Sequence, residues 1–142
     1  MPVRSASAEW QGDLPKGKGT ITSQTGAIHG QYSFSSRFEE GTGTNPEELI
    51  AAAHAGCYSM ALSNMLAQAG KTPASVKTTA KVHLTKVEGG VGITLIELVC
   101  RAVVPGLDAA GFQEHAEKAK VGCPVSRALS AVEIRLDAAL EG

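Results

Sequence analysis

Residues 43–70, GTNPEELIAAAHAGCYSMALSNMLAQAG, limit the possible folds more than any other part of the chain. They read as one long helix with a start and a stop. Asn45 fits the N-cap, Pro46 the first helical position, and Glu48 the third position of a capping box. Glu47 adds a carboxylate at the positive end of the helix dipole. Gly70 fits the C-cap with Pro73 beyond it, so a helix is predicted over residues 46–69. From Leu49 to Ala67 the segment is mostly apolar and close to membrane-spanning length. It also carries His54, Ser59, Ser63, Asn64 and many alanines, which lower its mean hydropathy below what lipid requires. The reading is a central helix buried by its own fold, with no membrane as partner.

Such a helix needs a partner surface, and the flanking segments read as sheet. Residues 6–38 contain three short runs rich in Ser and Thr, SASAEWQG, GKGTITSQTG and AIHGQYSFSSRF, separated by glycine-containing turns. Alternation in the third puts Tyr32, Phe34, Ser36 and Phe38 on one face and leaves Arg37 on the other, at the end of a strand. After the helix come two longer strands, SVKTTAKVHLTKV and GITLIELVCRAVV, joined by EGG. In the first, Val76, Thr78, Ala80, Val82 and Leu84 alternate with a wet face of Lys77, Thr79, Lys81 and His83. LDAAGFQEHAEKAK is an amphipathic helix, GCPVSRALS opens a short second one, and AVEIRLDAAL closes the chain as a strand. This ββαβ region occupies residues 75–140. The predicted class is α+β: a curved antiparallel β-sheet wrapped on a long central helix, in one domain over residues 1–142.

A chain of 142 residues can bury roughly two-thirds of its unfolded surface and needs no staples to fold. Its formal net charge is −1 and it has no run of like charge, so nothing favours nucleic acid or an anionic membrane as partner. Three cysteines without CxxC spacing favour a reducing compartment, and the start, MPVRSASAEWQGD, lacks the apolar core of a signal peptide. A soluble, cytoplasmic protein is expected.

The three cysteines differ in setting. Cys100 shares a strand face with Ile96, Leu98 and Ala102 and reads as core filler. Cys57 lies in mid-helix, beyond help from the N-terminal dipole, where burial raises a thiol pKa. On its own it reads as another core thiol, unless the fold brings a positive charge to it. Cys123, between Gly122 and Pro124, falls at a helix N-terminus where backbone N–H groups favour thiolate; a buried capping cysteine is the competing reading. His54 shares a helical face with Cys57, but no second close-spaced pair completes a zinc pattern, so no metal is expected. Trp10 reads as packing for the first strand.

RFEEGTGTNPEELIAAAHAGCYSMALS and KAKVGCPVSRAL closely resemble the corresponding segments of the osmotically inducible OsmC proteins, relatives of the organic hydroperoxide resistance proteins. The similarity runs from AEWQGDLPKGKGTITSQTG to the final strand. Arginine in SRFEEG fits the OsmC branch, since the sister branch places its active-site arginine nearer the N-terminus. The resemblance implies an intertwined homodimer and a thiol peroxidase without metal or cofactor. It implies activity on organic hydroperoxides, more weakly on hydrogen peroxide, in defence against oxidative and osmotic stress. A dithiol of lipoyl type is the implied reductant. Carried over by residue, Cys57 resembles the peroxidatic thiol, Cys123 the resolving thiol, Arg37 the guanidinium that activates the thiolate, and Glu47 the carboxylate that orients it.

Those roles make a geometric demand. Glu47 and Cys57 are ten residues apart, about 15 Å along a straight helix and on different faces. They cannot meet within one helix, so Glu47 and Arg37 are expected to reach the thiol from the partner chain, making two equivalent sites per two-fold dimer. One rival assignment exchanges the two cysteines. Another, of a different class, is a non-catalytic binder of hydrophobic small molecules using the apolar helix as a pocket wall.

Overall fold

The N-terminal Ser- and Thr-rich runs form strands β1 (Ala6–Gln11), β2 (Lys18–Ser23) and β3 (His29–Tyr32), an antiparallel sheet in that order. All 142 residues are described by the computed structural model. Gly19 is paired with both Trp10 and Tyr32, whose ring centroids are 5.3 Å apart. A Cβ on Gly19 would stand 2.4 Å from the Tyr32 ring and 2.8 Å from the Trp10 ring, so only glycine lets these rings meet.

The strand expected to run to residue 38 stops at Tyr32. Phe34–Phe38 is instead a short helix, α1, with Arg37 in its last turn rather than at a strand end. A serine pair overrides the alternation. Ser33 Oγ accepts from the Ser36 backbone N–H, and Ser36 Oγ accepts from the Ser33 N–H, a reciprocal cap that closes one helical turn. Ser36 also donates to the Thr44 carbonyl at 2.7 Å, which ties the following loop back onto α1. In that loop Gly43 has φ +111°, and a Cβ there would lie 2.6 Å from the Gln31 carbonyl oxygen.

Helix α2 spans Pro46–Gln68 and starts as its sequence dictates. Asn45 Oδ1 accepts from the Glu48 N–H at 2.7 Å, while the Glu48 carboxylate takes the Thr44 hydroxyl at 2.7 Å. No helix of the chain is long and apolar enough to cross a membrane. The chain divides into two compact units, Met1–Leu49 and Ile50–Gly142.

In the second unit β4 (Ser75–Val87) and β5 (Gly90–Val103) pair antiparallel, and β6 (Glu133–Leu140) adds to β5. The antiparallel expectation gives way at this last strand, which runs parallel to β5, with Leu98 opposite Leu136 and Cys100 opposite Ala138. Helices α3 (Ala109–Gly122) and α4 (Pro124–Ala128) intervene, and a helical crossover returns the chain to the end of the sheet from which β5 set out.

Tyr58, Leu62 and Leu66 of α2 are fully buried, as are Ile96, Leu98 and Cys100 of β5 and Phe112 of α3. Each such leucine contributes about 1.5–3 kcal/mol. Cys100 is core filler as expected, its thiol pushed up chiefly by burial. Tyr58 donates to the Ala116 carbonyl at 3.0 Å, and Ser59 to Thr78 Oγ1 at 2.7 Å, fixing α2 against α3 and β4. Within one chain, α2 is buried along a single stripe. Positions 54, 58, 62 and 66 are covered, one turn after another, but Ala52, Ala53, Gly56 and Met60 are exposed, Met60 by 76%. A 3.6-residue repeat aims only one stripe at the sheet, and α2 is apolar beyond that stripe.

Candidate active site

Of the four predicted site residues, Arg37 and Glu47 belong to the first unit, and Cys57 and Cys123 to the second. Each unit brings its own pair together.

In the first unit, Arg37 Nε donates to Glu47 Oε1 at 2.9 Å and a terminal nitrogen donates to Oε2 at 3.2 Å. This two-point contact fixes the guanidinium plane as a lysine could not be fixed. Glu47 is buried, whereas the Arg37 side chain keeps 35% of its surface exposed. The guanidinium is thus held at one edge and open at the other. It borders a cavity of about 240 Å³ lined by Trp10, Leu14, Tyr32, Phe34 and Phe38. Phe34 and Phe38, one turn apart on α1, have ring centroids 4.9 Å apart, and the Arg37 guanidinium carbon lies 5.4 Å from the Phe38 centroid. Four of the chain's six aromatic residues surround this one cavity. Sequence reasoning missed it by reading SFSSRF as strand; the four-residue spacing of its phenylalanines was the available signal. Trp10 packs its strand as predicted and also forms part of this wall.

In the second unit, Cys57 is half-buried on α2 and Cys123 is fully buried. Their Sγ atoms are 2.9 Å apart, Cys123 donating to Cys57, so both are free thiols short of the 2.03–2.05 Å of a disulfide. Sixty-six residues separate them in sequence. Cys123 lies at the break between α3 and α4, with ψ 127°. Pro124 excludes the helical region for the residue before it, so the chain must turn at this thiol. Cys123 begins a helix as expected, but its side chain makes no capping hydrogen bond there.

Burial first, and the Cys123 thiol second, push the Cys57 thiol up, while the Val125 backbone N–H favours its thiolate. A nucleophilic Cys57 therefore needs a cation.

One further pair was not foreseen. His54 and Ser126, both buried, share a hydrogen bond of 2.7 Å between Nε2 and Oγ. His54 precedes Cys57 by three residues and Ser126 follows Cys123 by three. That matched spacing was the signal in the sequence. Within the chain His54 Nδ1 has no partner, which costs about 1–3 kcal/mol. Burial also lowers the His54 pKa from its ordinary 6.5. Above about pH 6.5 both folded and unfolded chains hold this ring neutral, and it adds nothing to the pH dependence. Below it, the unfolded chain takes up a proton that the folded chain resists, so stability falls with pH. A His54→Gln variant is expected to show a shallower loss of melting temperature between about pH 6.5 and 5 than the parent. Equal slopes would assign that loss to other groups.

Comparison with known proteins places these pairs in a wider setting. Residues 39–137 match the family model described as OsmC-like protein. The chain is 53% identical over 135 residues to peroxiredoxin OsmC of Escherichia coli (strain K12), covering 94% of each. It is 42% identical over 89 residues to the organic hydroperoxide resistance protein of Xanthomonas axonopodis pv. citri (strain 306), covering 62% of this chain and 61% of that one. Its fold is similar to the crystal structure of the organic hydroperoxide resistance protein OhrB of Bacillus subtilis. The TM-score is 0.76 at 29% identity, over 95% of this chain and 98% of that one.

Proposed function

Because the chain belongs to the OsmC-like protein family, we propose that it is a cysteine peroxidase reducing organic hydroperoxides, and hydrogen peroxide more weakly. The observation that carries this reading is the pair of free thiols 2.9 Å apart, one of them half-buried on α2.

Cys57 acts as the nucleophile. Its thiolate attacks one oxygen of the peroxide bond, and the other oxygen leaves as the alcohol after protonation. Arg37 makes both events feasible. Its positive charge counters the burial that holds Cys57 protonated, and its free N–H groups bind the peroxide and the charge growing on the leaving oxygen. Glu47 orients the guanidinium through the two-point contact. The product at Cys57 is a sulfenic acid, which Cys123 converts to a disulfide with release of water. A dithiol, lipoyl-type by family resemblance, then restores both thiols. The aromatic cavity beside Arg37 favours an alkyl or aryl tail over hydrogen peroxide, since it offers rings and Leu14 rather than polar partners.

The protein functions as a homodimer on this reading, with Arg37 and Glu47 of one chain completing the Cys57 site of its partner. Two observations support the dimer: the ten-residue offset of Glu47 and Cys57 on α2, and the exposed apolar face of that helix at Gly56 and Met60. A reducing compartment, the cytoplasm, would keep all three cysteines as free thiols.

The test is a turnover assay crossing hydrogen peroxide, tert-butyl hydroperoxide and cumene hydroperoxide with dihydrolipoamide, reduced thioredoxin and glutathione. Organic peroxides with dihydrolipoamide are expected to give the highest kcat/KM. Stoichiometric binding of cumene hydroperoxide with no consumption under any reductant would instead favour a non-catalytic binder.

A further inference from the structure

The proposed chemistry uses Cys57 and Cys123 and leaves His54 and Ser126 without a role. These two residues nevertheless repeat the geometry of the thiols. On α2, His54 stands one turn before Cys57; at α4, Ser126 stands one turn after Cys123. The contacts pair 54 with 126 and 57 with 123, so two bridges one turn apart join α2 to α4. Helix α4 has only five residues, and its N-cap makes no side-chain hydrogen bond. It cannot hold its own position by helix formation alone. Its hydrogen bonds to α2 are these two side-chain bridges and the Val125 backbone N–H, which, like the thiol contact, falls on the Cys57 sulfur.

Oxidation breaks one of them. Once Cys57 carries a sulfenic oxygen, the thiol-to-thiol contact no longer exists in its reduced form. Cys123 must nonetheless come within 2.05 Å of the Cys57 sulfur for a disulfide to form. The His54–Ser126 bridge carries no redox-active atom and survives that step unchanged. It also leaves a His54 nitrogen unpartnered in a fully buried site, a cost that an apolar side chain of similar size would avoid.

Resting on the peroxidase reading above, we propose that His54 and Ser126 are a positioning pair that keeps Cys123 within bonding distance of Cys57 after oxidation, setting the rate of disulfide formation. In that step the Cys57 S–O bond breaks and the S–S bond forms. The Cys57 sulfur is reduced, the Cys123 sulfur is oxidised, and the oxygen leaves as water carrying the sulfenic hydrogen and the Cys123 thiol proton. A slower step leaves the sulfenic acid open to a second hydroperoxide, which oxidises it to sulfinic acid and departs as alcohol.

The experiment mixes reduced protein rapidly with tert-butyl hydroperoxide, quenches at intervals with dimedone and an alkylating agent, and counts sulfenic, disulfide and sulfinic species by intact mass. In Ser126→Ala and in His54→Phe, the ratio of the disulfide-forming rate to the sulfenate-forming rate should fall by about tenfold or more, because small displacements of reacting atoms have effects of that order. Sulfinic acid should build up at peroxide concentrations the parent tolerates. Ser126→Thr, which keeps the hydroxyl, should restore the parent ratio. The double variant should be no worse than either single one, as expected of two ends of one contact.

An unchanged ratio in Ser126→Ala would overturn the proposal. So would an equal loss in both rates, the mark of general destabilisation, or failure of Ser126→Thr to recover. Should the parent itself form neither sulfenate nor disulfide, the peroxidase reading falls and takes this proposal with it, and that failure is visible before any variant is made.

Discussion

Cys57→Ser is expected to lower peroxidase turnover by about 10⁴-fold or more, as removal of other covalent nucleophiles does, with only a small change in melting temperature. A serine hydroxyl ionises far above neutrality and its oxygen does not accept a peroxide oxygen to give a stable product, so no residual pathway runs through the new side chain. The packing change is small because Cys57 is only half-buried and the neighbouring positions Tyr58 and Leu62 hold α2 in the core. Cys123→Ser should behave differently. Its Cys57 still reacts with one equivalent of peroxide, then stalls as sulfenic acid and takes up dimedone. Turnover with dihydrolipoamide falls, while the first equivalent is consumed at close to the parent rate. Dimedone on Cys57→Ser but not on Cys123→Ser would assign the nucleophile to Cys123. The 2.9 Å contact favours neither order, since either sulfur could attack the other. The asymmetry lies in exposure: Cys57 is half-buried and Cys123 has no accessible surface, so peroxide meets Cys57 first.

The long helix was legible in the sequence because its signals are local. Asn45, Pro46 and Glu48 act within one turn, and the structure uses Asn45 as read, while the Glu48 carboxylate takes the Thr44 hydroxyl instead of closing the expected capping box on the Asn45 N–H. Strands β4 and β5 were legible for the same reason, since alternation along SVKTTAKVHL reports a half-buried sheet directly. Misreadings arose where two local rules competed. Alternation in YSFSSRF predicted a strand through Arg37, but the Ser33–Ser36 reciprocal cap won, because two hydrogen bonds satisfied inside one turn outweigh a pattern of four residues. The parallel placement of β6 was illegible for a different reason. Strand direction is fixed by the crossover through α3 and α4, and no residue of AVEIRLDAAL records it. The site shows the same division. Family resemblance assigned Arg37, Glu47, Cys57 and Cys123 their roles, and spacing alone could not have joined residues 57 and 123. The matched three-residue offsets of His54 from Cys57 and Ser126 from Cys123 were the trace of their bridge in the sequence, and they point to a contact only once the two thiols are known to meet.

Arg37→Ala is expected to lower kcat/KM by about 10²–10³-fold, the range seen when a donor to a developing negative charge is deleted. It should also move the pH at which Cys57 becomes alkylated upward, because burial and the Cys123 thiol would then act unopposed by a guanidinium. The variant further decides which chain supplies that guanidinium. Cys57→Ser and Arg37→Ala subunits, each nearly inactive, can be unfolded together and refolded as a mixture. Random pairing makes about half of the dimers hybrids. If a site combines Cys57 of one chain with Arg37 of the other, each hybrid carries one site with both lesions and one with neither. It then has about half the activity of a parent dimer, and the whole mixture about one quarter. If each site is built within one chain, every site in the hybrid carries one lesion and nothing is recovered. The gap between one quarter and the near-zero mean of the two variants is far wider than assay error. A mixture that stays at that mean would place both halves of the site in one chain, and the shared-site dimer would have to be abandoned.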